Sequence, residues 1–214
     1  MKQQLKSQQS QQAILQAGLE LFSSQGYRAT TLKEIAQAAG TSTGRVYHHF
    51  TNKLEIFTTL IDQYWSVLKD PELKLNQLTR AARFPDDFTD IAEAIWEIVA
   101  EKKAYINLIY VDVIEFRGEH IQRFYRNMAE RFQQTYGEHF ETMKAQGVFH
   151  ADADPLFAVM LTFRFFFHYF LVETSFGVED HFGFSSEQVI SKAKQTILHG
   201  LLKPKPLAPD GSDA

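Results

Sequence analysis

The chain has 214 residues, with 22 basic and 26 acidic side chains, eight histidines, no cysteine and 44% hydrophobic residues. That composition is globular, and it excludes a disulfide scaffold, a thiolate metal site and a cysteine nucleophile. Six of the 22 basic residues but only two of the 26 acidic ones fall within residues 1–53, giving that segment +4 against −8 for the remainder, a reason to look for a phosphate-binding surface at the head.

The opening residues are polar, without the apolar run of a signal peptide, and helical spacing begins at Ile14, Leu15, Gly18, Leu21 and Phe22. Gly26 stops this first helix, and Thr31 with Glu34 three residues on opens a second, which Gly40 ends. A short third helix is expected at 42–50, and Asn52 with Glu55 starts a fourth that runs to the residue before Pro71. Longer apolar helices are predicted at 86–101, 103–117, 119–146, 155–176 and 186–202, broken at Gly118, Gly147, Pro155 and Gly177.

Segment 104–116 is apolar nearly all round and is expected in the middle of a second domain. Its β-branched and aromatic content admits a strand, but its helical neighbours favour helix. The most apolar run, 163–172, is interrupted by Arg164 and His168 and is too short to span a bilayer. A soluble, cytoplasmic protein with no membrane partner is therefore the expectation. The Pro-rich tail 203–214 has no core face and is expected to be disordered.

Residues 31–53 carry the functional signal. Two short helices around a tight turn form a helix-turn-helix when small residues occupy the crossing. Ala36 allows close approach, Gly40 allows the turn, and Val46 plugs the angle between the helices. The wider run combines Leu21-Phe22, Gly26-Tyr27, Thr30-Thr31, Ile35-Ala36, Gly40, Gly44, Val46-Tyr47, His49-Phe50, Lys53 and Glu55. In that combination the sequence resembles the TetR family of bacterial transcriptional regulators.

The resemblance implies an all-α protomer of about nine helices with an N-terminal helix-turn-helix. It also implies a divergent C-terminal domain that binds a small molecule and dimerises, its last two long helices (155–176 and 186–202) pairing with a partner's. The expected division is residues 1–53 as DNA-binding domain, 54–70 as connecting helix, 71–202 as ligand-binding and dimerisation domain, and 203–214 as tail.

In this geometry the N-terminal end of the third helix enters the major groove of an operator duplex. Ser42, Thr43, Gly44 and Arg45 lie there, and Arg45 can read guanine O6 and N7 as a bidentate pair or go to phosphate. Tyr47 and His49 match family positions that bond phosphate, with His48 beside them. Thr31 caps the second helix and can offer its hydroxyl, Lys33 can reach phosphate or a base, and Lys53 at a helix start can clamp a phosphate. A zinc pair of His48 and His49 is not expected, because adjacent helical side chains diverge by about 100°.

In the second half, Asn107, Asp112 and Glu115 are polar positions in the apolar 104–116 helix, and Tyr110, Arg164, His168 and Glu173 are candidate partners or pocket-lining groups. Either a carboxylate orients a largely apolar effector, or it forms an internal salt bridge such as one with Arg164. No phosphate-binding glycine loop, dinucleotide fingerprint or zinc-protease motif occurs, and no histidine lies three residues after a glutamate. No enzyme activity, cofactor or metal is expected. The rival reading is an all-helical enzyme or ligand carrier whose head is only scaffold.

Overall fold

The computed structural model describes residues 2–126 and 128–203, and among them regular structure is entirely helical apart from one isolated antiparallel bridge, Phe149 to Leu202. The helices are α1 (Lys2–Gln25), α2 (Leu32–Ala38), α3 (Thr43–His49), α4 (Lys53–Leu68), α5 (Lys74–Ala81), α6 (Phe88–Glu101), α7 (Lys103–Glu115), α8 (Glu119–Arg126), α9 (Met128–Ala145), α10 (Pro155–Ser175) and α11 (Ser186–Leu201). Among the described residues eleven helical stretches stand against the expected nine or so. The short α5 was not anticipated, and the helix expected over 119–146 is described on either side of residue 127, as α8 and α9, with residue 127 itself outside the described residues. The tail assigned to disorder lies, from residue 204 on, outside the described residues.

Local signals account for the helix ends. Thr31 and Glu34 close a capping box on α2, and Ser185 with Gln188 closes one on α11. Ser42 accepts from the Arg45 N–H, Asn52 from that of Glu55 and Asp154 from that of Phe157, with Pro155 in the first turn of α10. At the end of α2 the Thr41 N–H bonds the Ala36 carbonyl at 2.9 Å and the Gly40 N–H that of Gln37 at 3.1 Å, a Schellman motif with Gly40 at φ +63.

The chain groups into two compact units, and the divisions fall within α5, within α6 and at the start of α9. The first holds the residues up to Asn76 together with Ile98–Met128. Its core is Ile14, Leu15, Phe22, Ile35, Ala36, Val46, Phe50, Ile56, Phe57, Leu60 and Leu108, all buried. At Gly18, α1 meets α4 so closely that an added Cβ would stand 2.9 Å from Ile56 Cγ2.

α7 packs on α1 and α4 in this unit, so segment 104–116 does not occupy the middle of the second domain as expected. One face of it (Ile106, Leu108, Ile109, Asp112) is buried. Tyr110, Val113 and Ile114 are exposed, Ile114 at 78%.

The second unit holds Gln77–Glu97 and the residues from Ala129 on. Aromatic rings fill it. Phe88 meets Phe166 edge-on at 5.7 Å, Phe84 and Phe149 flank Phe140 at 6.3 and 6.1 Å, and Tyr136 stacks on Phe140 at 5.4 Å. By length and composition alone α10 could cross a membrane, but it carries Arg164, His168 and Glu173 and buries Ala158, Val159, Thr162, Phe166, Tyr169, Phe170 and Leu171 within the protein.

Candidate nucleic-acid interface

α3 turns Val46 inward and most of its other residues outward. Val46 is fully buried, as the helix-turn-helix crossing requires, whereas Ser42, Gly44, Arg45 and His48 are exposed, Thr43 is half-exposed and Tyr47 is 58% exposed. An exposed tyrosine on a seven-residue helix beside an exposed arginine is apolar and cationic surface held ready for a partner. Arg45 Nε reaches Ser10 Oγ on α1 at 3.3 Å, so the first helix helps to steer the guanidinium. Lys33 is exposed on α2.

Three expected contact residues prove to be engaged within the fold. The Thr31 hydroxyl donates to Glu34 Oε2 at 2.7 Å and accepts from the Glu34 N–H at 3.2 Å, so its role is the cap. His49 is half-buried; its Nε2 is buried without a hydrogen-bond partner, and burial first, then His48 and Arg45, lowers its pKa. The His48 and His49 rings meet edge-on, with centroids 5.2 Å apart and planes at 72°.

Lys53 Nζ donates to the carbonyls of Tyr27 at 2.7 Å and Thr30 at 2.6 Å and lies 4.2 Å over the Tyr27 ring. Burial lowers its pKa, opposed by Glu115 and Glu34. The cation therefore ties down the α1–α2 turn rather than presenting itself to phosphate.

The same turn is held from its other side by α7. Glu115 Oε1 accepts from the Tyr27 N–H and Oε2 from the Arg28 N–H, both at 2.9 Å, with Arg28 Nε a further 3.6 Å away. Gly26, at φ +87, makes room: a Cβ there would stand 2.9 Å from Glu115 Oε1. Phe116 stacks on Phe57 at 4.9 Å and meets Tyr27 edge-on at 4.8 Å. Asp112, completely buried, pairs with His120 Nδ1 at 2.6 Å and accepts from the His120 and Ile121 N–H groups at 3.2 Å.

The expected effector carboxylates are thus spent inside the first unit, Asp112 on the α7–α8 junction and Glu115 on the head. Of the other candidates, Asn107 and Tyr110 lie on α7 in this unit, half-buried and 37% exposed respectively. Arg164 and His168 are exposed on α10 in the second unit. Glu173 accepts from the Tyr169 hydroxyl at 2.6 Å and the Ser186 hydroxyl at 2.8 Å, fastening α10 to the start of α11.

Gly40 to Gly44 spells Gly-x-Ser-x-Gly, against the expectation that no such catalytic-serine pattern occurs in the chain. That motif activates serine only on a strand-to-helix turn. Here α2 precedes it and Ser42 caps α3, so no nucleophile elbow exists.

Residues 14–60 match the family model described as bacterial regulatory proteins, tetR family. Over that stretch the chain is similar to the TetR family. It is 31% identical over 141 residues to the HTH-type transcriptional regulator AcrR of Shigella flexneri, covering 60% of this chain and 63% of that relative, just under two thirds of its length. It is 42% identical over 53 residues to the HTH-type transcriptional repressor BepR of Brucella suis, about a quarter of each chain.

Among solved structures, the repressor NalD of Pseudomonas aeruginosa superposes with a TM-score of 0.61 at 21% identity, over 93% of this chain and all of that one. The MbdR regulator of Azoarcus gives 0.63 at 20% identity, over 91% of this chain and all of that one. The TetR-family match falls on α1–α4, where the outward α3 is built, and the structural likeness extends the fold over the remainder. These relatives are transcriptional regulators, not enzymes.

Proposed function

We propose that the protein is a homodimeric, ligand-responsive transcriptional regulator, most simply a cytoplasmic repressor released from its operator by a small effector. The supporting observation is α3: it buries Val46 and leaves Thr43, Gly44, Arg45, Tyr47 and His48 on one accessible surface with the exposed Ser42 and Lys33. Arg45 is assigned to base edges and Tyr47 to phosphate. Residues 1–53 form the DNA-binding part, and the residues beyond α4 serve effector binding and dimerisation. α10 supports the dimer, since Phe157 (59% exposed) and Leu161 (42%) align one turn apart with exposed Arg164 and His168.

Two copies would place their α3 helices in successive major grooves, roughly 34–36 Å apart on a pseudo-palindrome. A hundredfold release by effector corresponds to about 2.7 kcal/mol of coupling, and by reciprocity operator DNA weakens effector binding by the same factor. The test is a mobility shift on the promoter region of the protein's own gene across a salt series. Specific retardation with a steep linear loss of log affinity against log salt is expected. Retardation equal on promoter and random DNA, or none at low salt, overturns the reading.

A further inference from the structure

The second unit buries a carboxylate that the fold leaves unsatisfied. Asp87, at the start of α6, is 2% exposed, and neither of its oxygens has a hydrogen-bond partner. The chain on either side contributes Phe84 and Phe88, both completely buried. Burial first and then Asp87 push the pKa of the Tyr136 hydroxyl upward, the Thr79 side chain opposes them, and no hydrogen bond of good geometry reaches this buried hydroxyl. Phe140 stacks on Tyr136 and meets Phe84 edge-on, so aromatic side chains crowd this part of the unit.

The surrounding charge is mainly acidic. Burial opposes ionisation of Asp87 most, its own backbone N–H and then Arg83 favour it, and Asp90 and Asp86 oppose it. His139, on α9, is committed to the Phe84 carbonyl at 3.0 Å.

An isolated buried carboxylate is costly until a partner arrives. An ionised carboxylate only accepts, ring faces are negative, and the flanking acids repel anions, so the missing partner is a cation. One carboxylate among rings does not make the all-oxygen shell of a hard metal ion, whereas aromatic faces suit an alkylammonium. We propose that the second unit binds organic ammonium compounds with an apolar body, the cationic head bonded to Asp87 and Tyr136 and flanked by Phe84, Phe88 and Phe140. This names the effector class and rests on the reading of that unit as the effector-binding part.

Calorimetric titration of the full chain with 4-phenylbutylammonium, 4-phenylbutan-1-ol and 4-phenylbutyrate tests it, since the three share one apolar body. The ammonium is expected to bind at least about tenfold more tightly than the alcohol, with the carboxylate weakest. Asp87→Asn should erase the preference for the ammonium, and Tyr136→Phe should reduce it. Equal affinity for ammonium and alcohol in the wild type overturns the proposal, whatever the variants do. A preference that survives in folded Asp87→Asn, judged by circular dichroism, overturns it too. Operator retardation is measured without any probe. A protein that binds its operator but shows no ammonium preference loses only this site, and one that prefers ammonium without binding DNA keeps the site and loses the regulator reading.

Discussion

Replacing Glu115 by alanine removes the acceptor of two backbone N–H groups, at Tyr27 and Arg28. A hydrogen bond to a charged group is worth roughly 1.5–3 kcal/mol, but an amide that regains water recovers part of that, so the pair together gives about 2–3 kcal/mol. The Arg28 guanidinium adds little: its side chain is 83% exposed, and an exposed pair contributes about 0.5 kcal/mol or less. The two contributions separate cleanly. Glu115→Ala should lower urea stability by about 2–3 kcal/mol, while Arg28→Ala should stay within about 0.5 kcal/mol of wild type. Hydrogen exchange gives the local reading, since the Tyr27 and Arg28 amides should lose protection in Glu115→Ala and keep it in Arg28→Ala. Equal effects of the two variants, or unchanged exchange at both amides, would refute the assignment of the clamp to the backbone.

The remaining predictions concern other parts of the chain. Arg45→Ala should cost about 1–3 kcal/mol of discrimination at one base pair per half-site, whereas Tyr47→Phe should weaken operator and variant sequences alike; both are read by competition titration. Asp87 has its pKa raised by burial, so the stability this group permits is fully present below its unfolded pKa near 4 and is lost as the pH rises through the raised value. Asp87→Asn should therefore gain on the wild type between pH 4 and pH 8 in denaturant melts, and a constant difference across that range would count against an unpaired charge. Phe157→Asp together with Leu161→Asp should shift sedimentation toward monomer and weaken operator binding; a variant that stays dimeric removes this face from the interface.

The head was legible because its signals are local. Thr31 with Glu34, Gly40 and Val46 each act within a few residues of themselves, and each does what its spacing predicted. What escaped depends on partners far along the chain. Burial of Asp112 and Glu115 follows from their apolar surroundings, but their partners are an imidazole past the end of α7 and two main-chain amides 88 and 87 residues away. An amide has no letter in a sequence.

Lys53 misled for a related reason. A cation at a helix start reads as a phosphate clamp, and only coordinates reveal the two carbonyls that claim it. α5 buries only Leu75 and so left little periodicity to find. Asp87 followed an ordinary helix-start pattern, Pro-Asp-Asp, and its missing bonds have no sequence signature.

The grip of Glu115 on main-chain hydrogens has an evolutionary corollary. Any residue other than proline supplies the same donor, so position 28, whose side chain is almost wholly in solvent, is free to drift in size and charge without unfastening the hinge. Only a proline at the gripped positions, or a bulkier neighbour in place of Gly26, would spring it open.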